Sequence, residues 1–415
     1  MTTDPDTGAP PACRPAARTA GDLAQPGCSM TGFAAWLARL DADVAVVLFG
    51  ERDCANAFAR LEPEFLALPR WRFYTTALRE TDVVAGAAEA RLEQCLRAVV
   101  AAGRSRALAA RGPCTTEMIG ADPGPVCEAV AAETGASILP VRTSGLKPVT
   151  QAAVADEVAD LLLRVFHEPH ARDPDAVSLV GLATWPSRDA GGTRTLCLEA
   201  AEVLRRIGLR LGAAVPAGAT AEDWRSLPRA VTAVAPDLAV FPKLARRMRW
   251  FGMRLREVPA PSGVEWTDRF YAAIGAMTKR DAVAATAALP ARAAAVPALW
   301  RARSRIGGRR LAYGIGSHHD FRPELLAREG LCDLPLLLEL GFKIEVLIQE
   351  RDRPEVHKRV RRNLDALGVD LPYRLFHEPA ALAPVLAAGR FDLAYLAPFL
   401  ADQAATAGVP TLAPP

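Results

Sequence analysis

Val44-Ala45-Val46-Val47-Leu48-Phe49-Gly50-Glu51-Arg52-Asp53-Cys54 is the stretch on which the fold turns. Its continuous apolar run, rich in valine and closed by a glycine, has the length and composition of a strand buried on both faces of a parallel sheet. A helical pattern follows over 55–61, and Cys54 opens it. A thiol there sits beside backbone N–H donors and the positive end of the helix dipole, which favours the thiolate. Thiolate is the form that binds iron or zinc.

Outward from this stretch, strand and helix alternate. Before it, 32–40 has helical spacing, with Phe33, Trp36, Leu37 and Leu40 on one face. After it come strand-like 71–76, an amphipathic helix over 89–101 with Leu92, Leu96, Val99 and Val100 inward, and strand-like 105–110 leading to Cys114. Helix 126–133, strand 137–141 and helix 154–165 complete a first α/β unit. The proline- and charge-rich piece 167–175 reads as a linker, and a second unit follows. It has strand 177–183, helix 195–207, strand-like 230–234 and 238–241, a basic helix over 243–251, strand-like 255–258 and helix 266–277. The alanine-rich stretch 281–304 is helical and bridges to a third unit of strands 310–315, 343–348 and 393–396 with helices 335–340 and 356–367. This alternation predicts an α/β fold of three Rossmann-like domains, each a mostly parallel sheet flanked by helices. The predicted divisions are a disordered tail (1–26), domains at 27–170, 171–280 and 309–415, and a helical bridge at 281–308.

The chain has 415 residues, too many for one ordinary core. Its net charge of +3 argues against a general nucleic-acid or anionic-membrane partner. No stretch reaches the ~18 uninterrupted apolar residues of a membrane span, and the first residues lack the apolar region of a signal peptide. Eight cysteines scattered over this length do not form a secreted disulfide framework. The expected compartment is the reducing cytoplasm, where grouped cysteines bind metal or do redox chemistry.

Neither Gly191-Gly192 nor Gly314-Ile315-Gly316 completes a dinucleotide fingerprint, and no phosphate-binding P-loop occurs. Gly181 and Gly316 read as strand-to-helix turns. His318-His319-Asp320 follows a strand end, where open α/β sheets place ligands, although adjacent histidines point to different sides. His167 and His170 read as solvated, and Cys95, Cys127, Cys197 and Cys332 as structural thiols. Cys28, Cys54 and Cys114 stand apart. Each lies at a chain break beside glycine or proline, or at a helix start. They lack the close pairs of a structural zinc site. Wide spacing on separate loops of one sheet suits an iron–sulfur cluster with a further ligand from elsewhere.

Around these cysteines the sequence resembles a known family. Thr75-Thr76-Ala77-Leu78-Arg79-Glu80-Thr81-Asp82-Val83-Val84-Ala85-Gly86, Cys114-Thr115-Thr116-Glu117-Met118-Ile119-Gly120-Ala121-Asp122, Arg142-Thr143-Ser144-Gly145-Leu146 with Thr150-Gln151, and Val258-Pro259-Ala260-Pro261-Ser262-Gly263-Val264-Glu265 are similar to stretches of the nitrogenase component 1 superfamily. The resemblance implies that Cys28, Cys54 and Cys114 hold an iron–sulfur cluster, 4Fe–4S or P-cluster-like, in the first domain, shared with a partner subunit. It implies a homologous second subunit in an α2β2-like heterotetramer. It also implies a separate ATP-hydrolysing iron–sulfur protein that donates electrons, and a small-molecule substrate. The region 231–243 offers Pro236 and no cysteine, so no large cofactor held by a middle-domain cysteine is implied. The implied activity is that of an oxidoreductase subunit in a nitrogenase-like, ATP-dependent two-component reductase. The alternatives are a scaffold for assembling a nitrogenase-type cofactor and the β-type subunit of a methylthio-alkane reductase-like enzyme.

Overall fold

The computed structural model describes residues 44–61, 73–105, 107–141, 151–181, 200–216, 219–258, 261–315, 333–349, 356–396 and 400–412. Within it, β1 (Val44–Leu48) is buried on both faces. Val44 and Val46 enter one core while Ala45 and Val47 enter another, following the two-residue period of a strand. Around it come α1 (Arg52–Leu61), β2 (Phe73–Thr75), α2 (Glu80–Val84), α3 (Ala88–Ala102), β3 (Ala107–Arg111), α4 (Cys114–Met118), α5 (Pro123–Thr134), β4 (Ser137–Val141) and α6 (Gln151–Phe166). The strands form a parallel sheet in the order β2-β1-β3-β4.

A second parallel sheet, ordered β6-β5-β7-β8, is built from β5 (Asp173–Val180), α7 (200–206), β6 (Arg210–Val215), α8 (Ala221–Ser226), β7 (Ala230–Ala235), α9 (Pro242–Trp250) and β8 (Arg254–Glu257). Helices α10 (Val264–Thr278) and α11 (Asp281–Ile306) follow. The third sheet is parallel too, ordered β11-β10-β9-β12-β13. Its elements are β9 (Arg310–Ile315), α12 (Leu334–Glu339), β10 (Lys343–Gln349), α13 (Val356–Leu367), β11 (Tyr373–Phe376), α14 (Leu382–Gly389), β12 (Leu393–Tyr395), α15 (Ala401–Thr406) and β13 (Thr411–Leu412). The α/β reading therefore holds, with three parallel sheets flanked by helices.

In each sheet the first strand in sequence lies inside, and the chain builds outward from it on both sides. The order reverses between β1 and β3, between β5 and β7, and between β9 and β12. Such switch points open a crevice beyond the carboxyl ends of the strands, the usual ligand position in open α/β sheets.

The first two sheets share a core. Leu161, Leu162, Leu163 and Phe166 of α6 pack between Val44, Val46 and Ala109 of one sheet and Ala176, Ala213 and Ala233 of the other. Asp156 adds a polar tie, its carboxylate accepting from the Lys243 N–H at 2.8 Å and the Leu244 N–H at 2.9 Å. Those are first-turn amides of α9, whose own N-cap residue, Phe241, gives no side-chain hydrogen bond. Burial raises the Asp156 carboxyl above its ordinary value, although the two amide hydrogen bonds pull the other way.

The second and third units meet differently. Gly263, the N-cap of α10, cannot cap with a side chain, and Glu339 of α12 does so instead, accepting from Val264 N–H at 2.7 Å and Glu265 N–H at 2.8 Å. Gly263 has φ +82°, and a Cβ there would lie 2.8 Å from a Glu339 oxygen, so glycine is needed for both shape and space. Helix α11 is anchored at its start through Ala284 and Ala288. It is the one helix among the described residues long and apolar enough, by length and composition, to cross a membrane. Arg292 within it pairs with Asp268 of α10.

Three sequence readings need correction. The stretch 238–241 is not a strand but a 3₁₀ turn, Leu238–Val240, opened by the Asp237 side chain accepting from Ala239 N–H at 2.8 Å. The supposed linker 167–175 is pinned to the second unit. The Arg172 guanidinium donates to the carbonyls of Pro228 (2.7 Å) and Gly252 (2.5 Å), and β5 already starts at Asp173. His167 is not solvated either. Its ring packs 3.9 Å from Phe251, and burial and the neighbouring His170 push its pKa down.

Candidate metal centre

Where β1 and β3 end side by side at Leu48 and Arg111, the first switch point opens. The Phe49 N–H continues the pairing to the Arg111 carbonyl at 2.7 Å. Gly50 then turns the chain against the neighbouring loop, where a Cβ would fall 2.4 Å from Pro113 Cγ. From the β2 side, the Thr76 hydroxyl accepts from Gly50 N–H at 3.0 Å, and Leu78 N–H donates to the Gly50 carbonyl at 2.9 Å. Three successive strand ends are thus drawn together around Gly50.

Helix α1 begins at Arg52, earlier than the sequence pattern suggested, which places Cys54 inside the first turn. Cys114 is the first residue of α4, after Pro113 as an extended N-cap. Both are half-buried thiols. Glu51 joins their segments. Its Oε1 accepts from Cys54 Sγ at 3.1 Å, and its Oε2 accepts from the hydroxyl of Thr115, the residue after Cys114. Burial of this carboxyl opposes ionisation, but the hydrogen bonds from Thr115, Cys54 and its own backbone outweigh it and leave the pKa below the ordinary glutamate value.

The other described cysteines are unlike these two. Cys127 is fully buried, and burial, with Asp122 and Glu128 nearby, pushes its thiol up to about 12. Cys95 packs against the core formed by Leu92 and Leu96, and burial raises it too. Neither favours the thiolate. In the motif at 75–86, Asp82 is structural. It accepts from Arg79 N–H at 3.0 Å and pairs with Arg91 at 3.4 Å.

Cys28, His318, His319 and Asp320 lie outside the described residues. Among the described residues no three His, Cys, Asp or Glu side chains converge as a metal-binding group. What does meet here is the Cys54 thiol and an ionised carboxylate that also bonds the residue after Cys114, so two thiol-bearing segments share one carboxylate. The sequence reading named both cysteines and missed Glu51. The signal was available in Glu51-x-x-Cys54, a spacing that turns a carboxylate back onto a first-turn side chain.

Comparison with known proteins agrees with the topology. Residues 28–370 match the family described as nitrogenase component 1 type oxidoreductase, and the chain belongs to that family. Two curated relatives are named nitrogenase iron-molybdenum cofactor biosynthesis protein NifE. The protein from Mesorhizobium japonicum is 28% identical over 186 residues, 43% of this chain and 36% of the relative. The one from Rhodobacter capsulatus is 32% identical over 111 residues, 26% of this chain and 23% of the relative. The chain thus spans about a third or less of those relatives' length. Two solved structures of nitrogenase Cp1, at pH 6.5 and pH 5, superpose with TM-scores of 0.70 and 0.71. They cover 97% of this chain and 85% and 84% of their own, at 13% and 14% identity, so the likeness is one of fold.

Proposed function

We propose that this chain is the cluster-holding subunit of a nitrogenase-like, ATP-dependent two-component reductase. Cys54 and Cys114, together with Cys28, would bind an iron–sulfur cluster of the 4Fe–4S or P-cluster-like kind. The observation that carries this reading is the Glu51 bridge, which gathers both cysteine segments at one switch point. Proteins of this family generally carry iron–sulfur clusters, and such a cluster supplies one-electron storage when bound. The residues of this chain would hold it at an edge that a homologous second subunit completes. Met118 and Ile119, apolar and exposed at the end of the Cys114 helix, suit burial under that subunit. Electrons would come from a separate ATP-hydrolysing iron–sulfur protein, and a small molecule would be reduced in the crevice between units. The division into domains at 27–170, 171–280 and 309–415, the cytoplasmic setting, and the absence of nucleic-acid or membrane partners belong to the same proposal.

A second reading, a scaffold for assembling a nitrogenase-type cofactor, is favoured by the name that the curated relatives share. Anaerobic co-expression with the products of neighbouring genes, followed by iron and sulfide analysis, tests what the two readings have in common. Iron should be present and should fall in Cys54→Ala and Cys114→Ala variants but not in Cys95→Ala. An iron-free complex would sink both readings. Turnover with reductant and ATP, tried on protochlorophyllide and on methylthio compounds, favours the reductase. Release of bound iron cofactor to an acceptor protein without turnover favours the scaffold.

A further inference from the structure

The cysteine reading gives Glu51 no place among the ligands, and the geometry points to a task of another kind. We infer that Glu51 is a positioning residue that holds the Cys54 and Cys114 segments in register before any metal arrives. The inference rests on the reading of those two cysteines as ligands.

Glu51 is fixed at its backbone by a parallel bridge to Leu78, so it cannot drift with either loop. From that anchor its two carboxylate oxygens face different segments. One takes the Cys54 thiol three residues along the same helix turn, and the other takes the Thr115 hydroxyl across 64 residues of sequence. A routine helix-surface contact would explain the first bond and not the second. α4 is a helix of only five residues, and its ties are local, among them the Thr116 hydroxyl to the Pro113 carbonyl at 2.9 Å, the Ile119 N–H to the Thr115 carbonyl at 3.1 Å and the Ala121 N–H to the Thr116 carbonyl at 2.9 Å. Such a short element gains little from its own hydrogen bonds. A cross-link to a buried strand end therefore limits how far Cys114 wanders from Cys54.

A clamp and a ligand make different demands on this side chain. A ligand must supply an anionic oxygen. A clamp needs only one group to accept from Cys54 and another to bond Thr115. Glutamine meets both needs, because its carbonyl oxygen accepts from the thiol and its amide donates to the Thr115 hydroxyl oxygen. The clamp therefore survives Glu51→Gln and is lost in Glu51→Ala, whereas a ligand or charge role fails in both.

The test is amide hydrogen exchange by mass spectrometry on the full apo chain, kept anaerobic, followed by reconstitution with ferrous iron and sulfide. In Glu51→Ala, exchange over 52–58 and 114–119 is expected to quicken about tenfold, as local opening loses two hydrogen bonds to a charged group. Glu51→Gln should match the wild type, and Thr115→Val should quicken 114–119 alone. On reconstitution, the Ala variant should retain less iron and give a broadened signal by electron paramagnetic resonance, and Gln should restore both. Unchanged exchange over 114–119 in Glu51→Ala and in Thr115→Val overturns the clamp, and so does a Gln variant that behaves like Ala. A wild-type chain that shows the exchange pattern but binds no iron even in complex with its co-expressed partner subunit keeps the clamp and defeats the cluster reading. A wild-type chain that binds iron while both variants exchange normally defeats the clamp alone.

Discussion

The junction between the first and second sheets and the junction between the second and third use one device in two settings. In both, a carboxylate from one unit caps a helix of the other whose own N-cap residue gives no side-chain bond: Asp156 on α9, Glu339 on α10. Asp156 sits at 2% exposure within a core that both sheets build, whereas Glu339 is only half-buried. The cores of the third sheet share no buried residue with those of the second, and from α11 it is Ile306 that packs against one of them. The difference teaches that an identical hydrogen-bond pattern can fuse two units or merely align them, depending on the apolar surface behind it.

The comparison can be broken at its apolar part first. Leu162→Ala, at a fully buried site of the shared core, is expected to cost about 3 kcal/mol. The first and second sheets should then unfold in one transition, followed by urea denaturation with hydrogen exchange read on β1 and β7. Separate transitions would mean that the core does not fuse them.

Asp156→Ala comes next, at about 2 kcal/mol, because two first-turn amides of α9, one of them buried, lose their acceptor. This site also carries a pH signature. The folded pKa of Asp156 is raised, so the folded state holds the proton more tightly than the unfolded chain does. Its contribution is then fullest below the ordinary value of 3.8 and declines as pH rises through the higher folded value. Stability measured against pH in Asp156→Asn should lack that decline; an unchanged profile would remove Asp156 as its source.

Glu339→Ala should have the smallest effect, about 1 kcal/mol for a lost cap. Its mark should be faster exchange in β9 and β10 with β1 unaffected. Equal loosening of all three sheets would erase the distinction between the junctions.

Much of this was legible in the chain itself, because the signals were local. The valine-rich run became the doubly buried β1, Cys54 and Cys114 fell at helix starts, and the alternation gave three parallel sheets. Helix α8 escaped the reading although Thr220 and Asp223 announce it with a reciprocal capping box. β11 and β13 were passed over for a different reason. They are short edge strands, partly exposed, and carry no continuous apolar run. Leu238–Val240 was misread because three apolar residues in a row suit a strand as well as a 3₁₀ turn. The pairing of Glu51 with Thr115 lay beyond any sequence pattern, since only the register of β1 against β3 brings them together.

That register also fixes an order of events. Val44–Leu48 cannot meet Ala107–Arg111 until the whole crossover between them has been made, since parallel neighbours need one. In small metal-templated domains the ion gathers nearby ligands and the chain folds around it. Here Cys54 and Cys114 become neighbours through long-range pairing, a slow class of contact. If these cysteines bind a cluster as proposed, sheet formation would precede loading, and a ribosome-bound fragment ending before β3 would present Cys28 and Cys54 without Cys114.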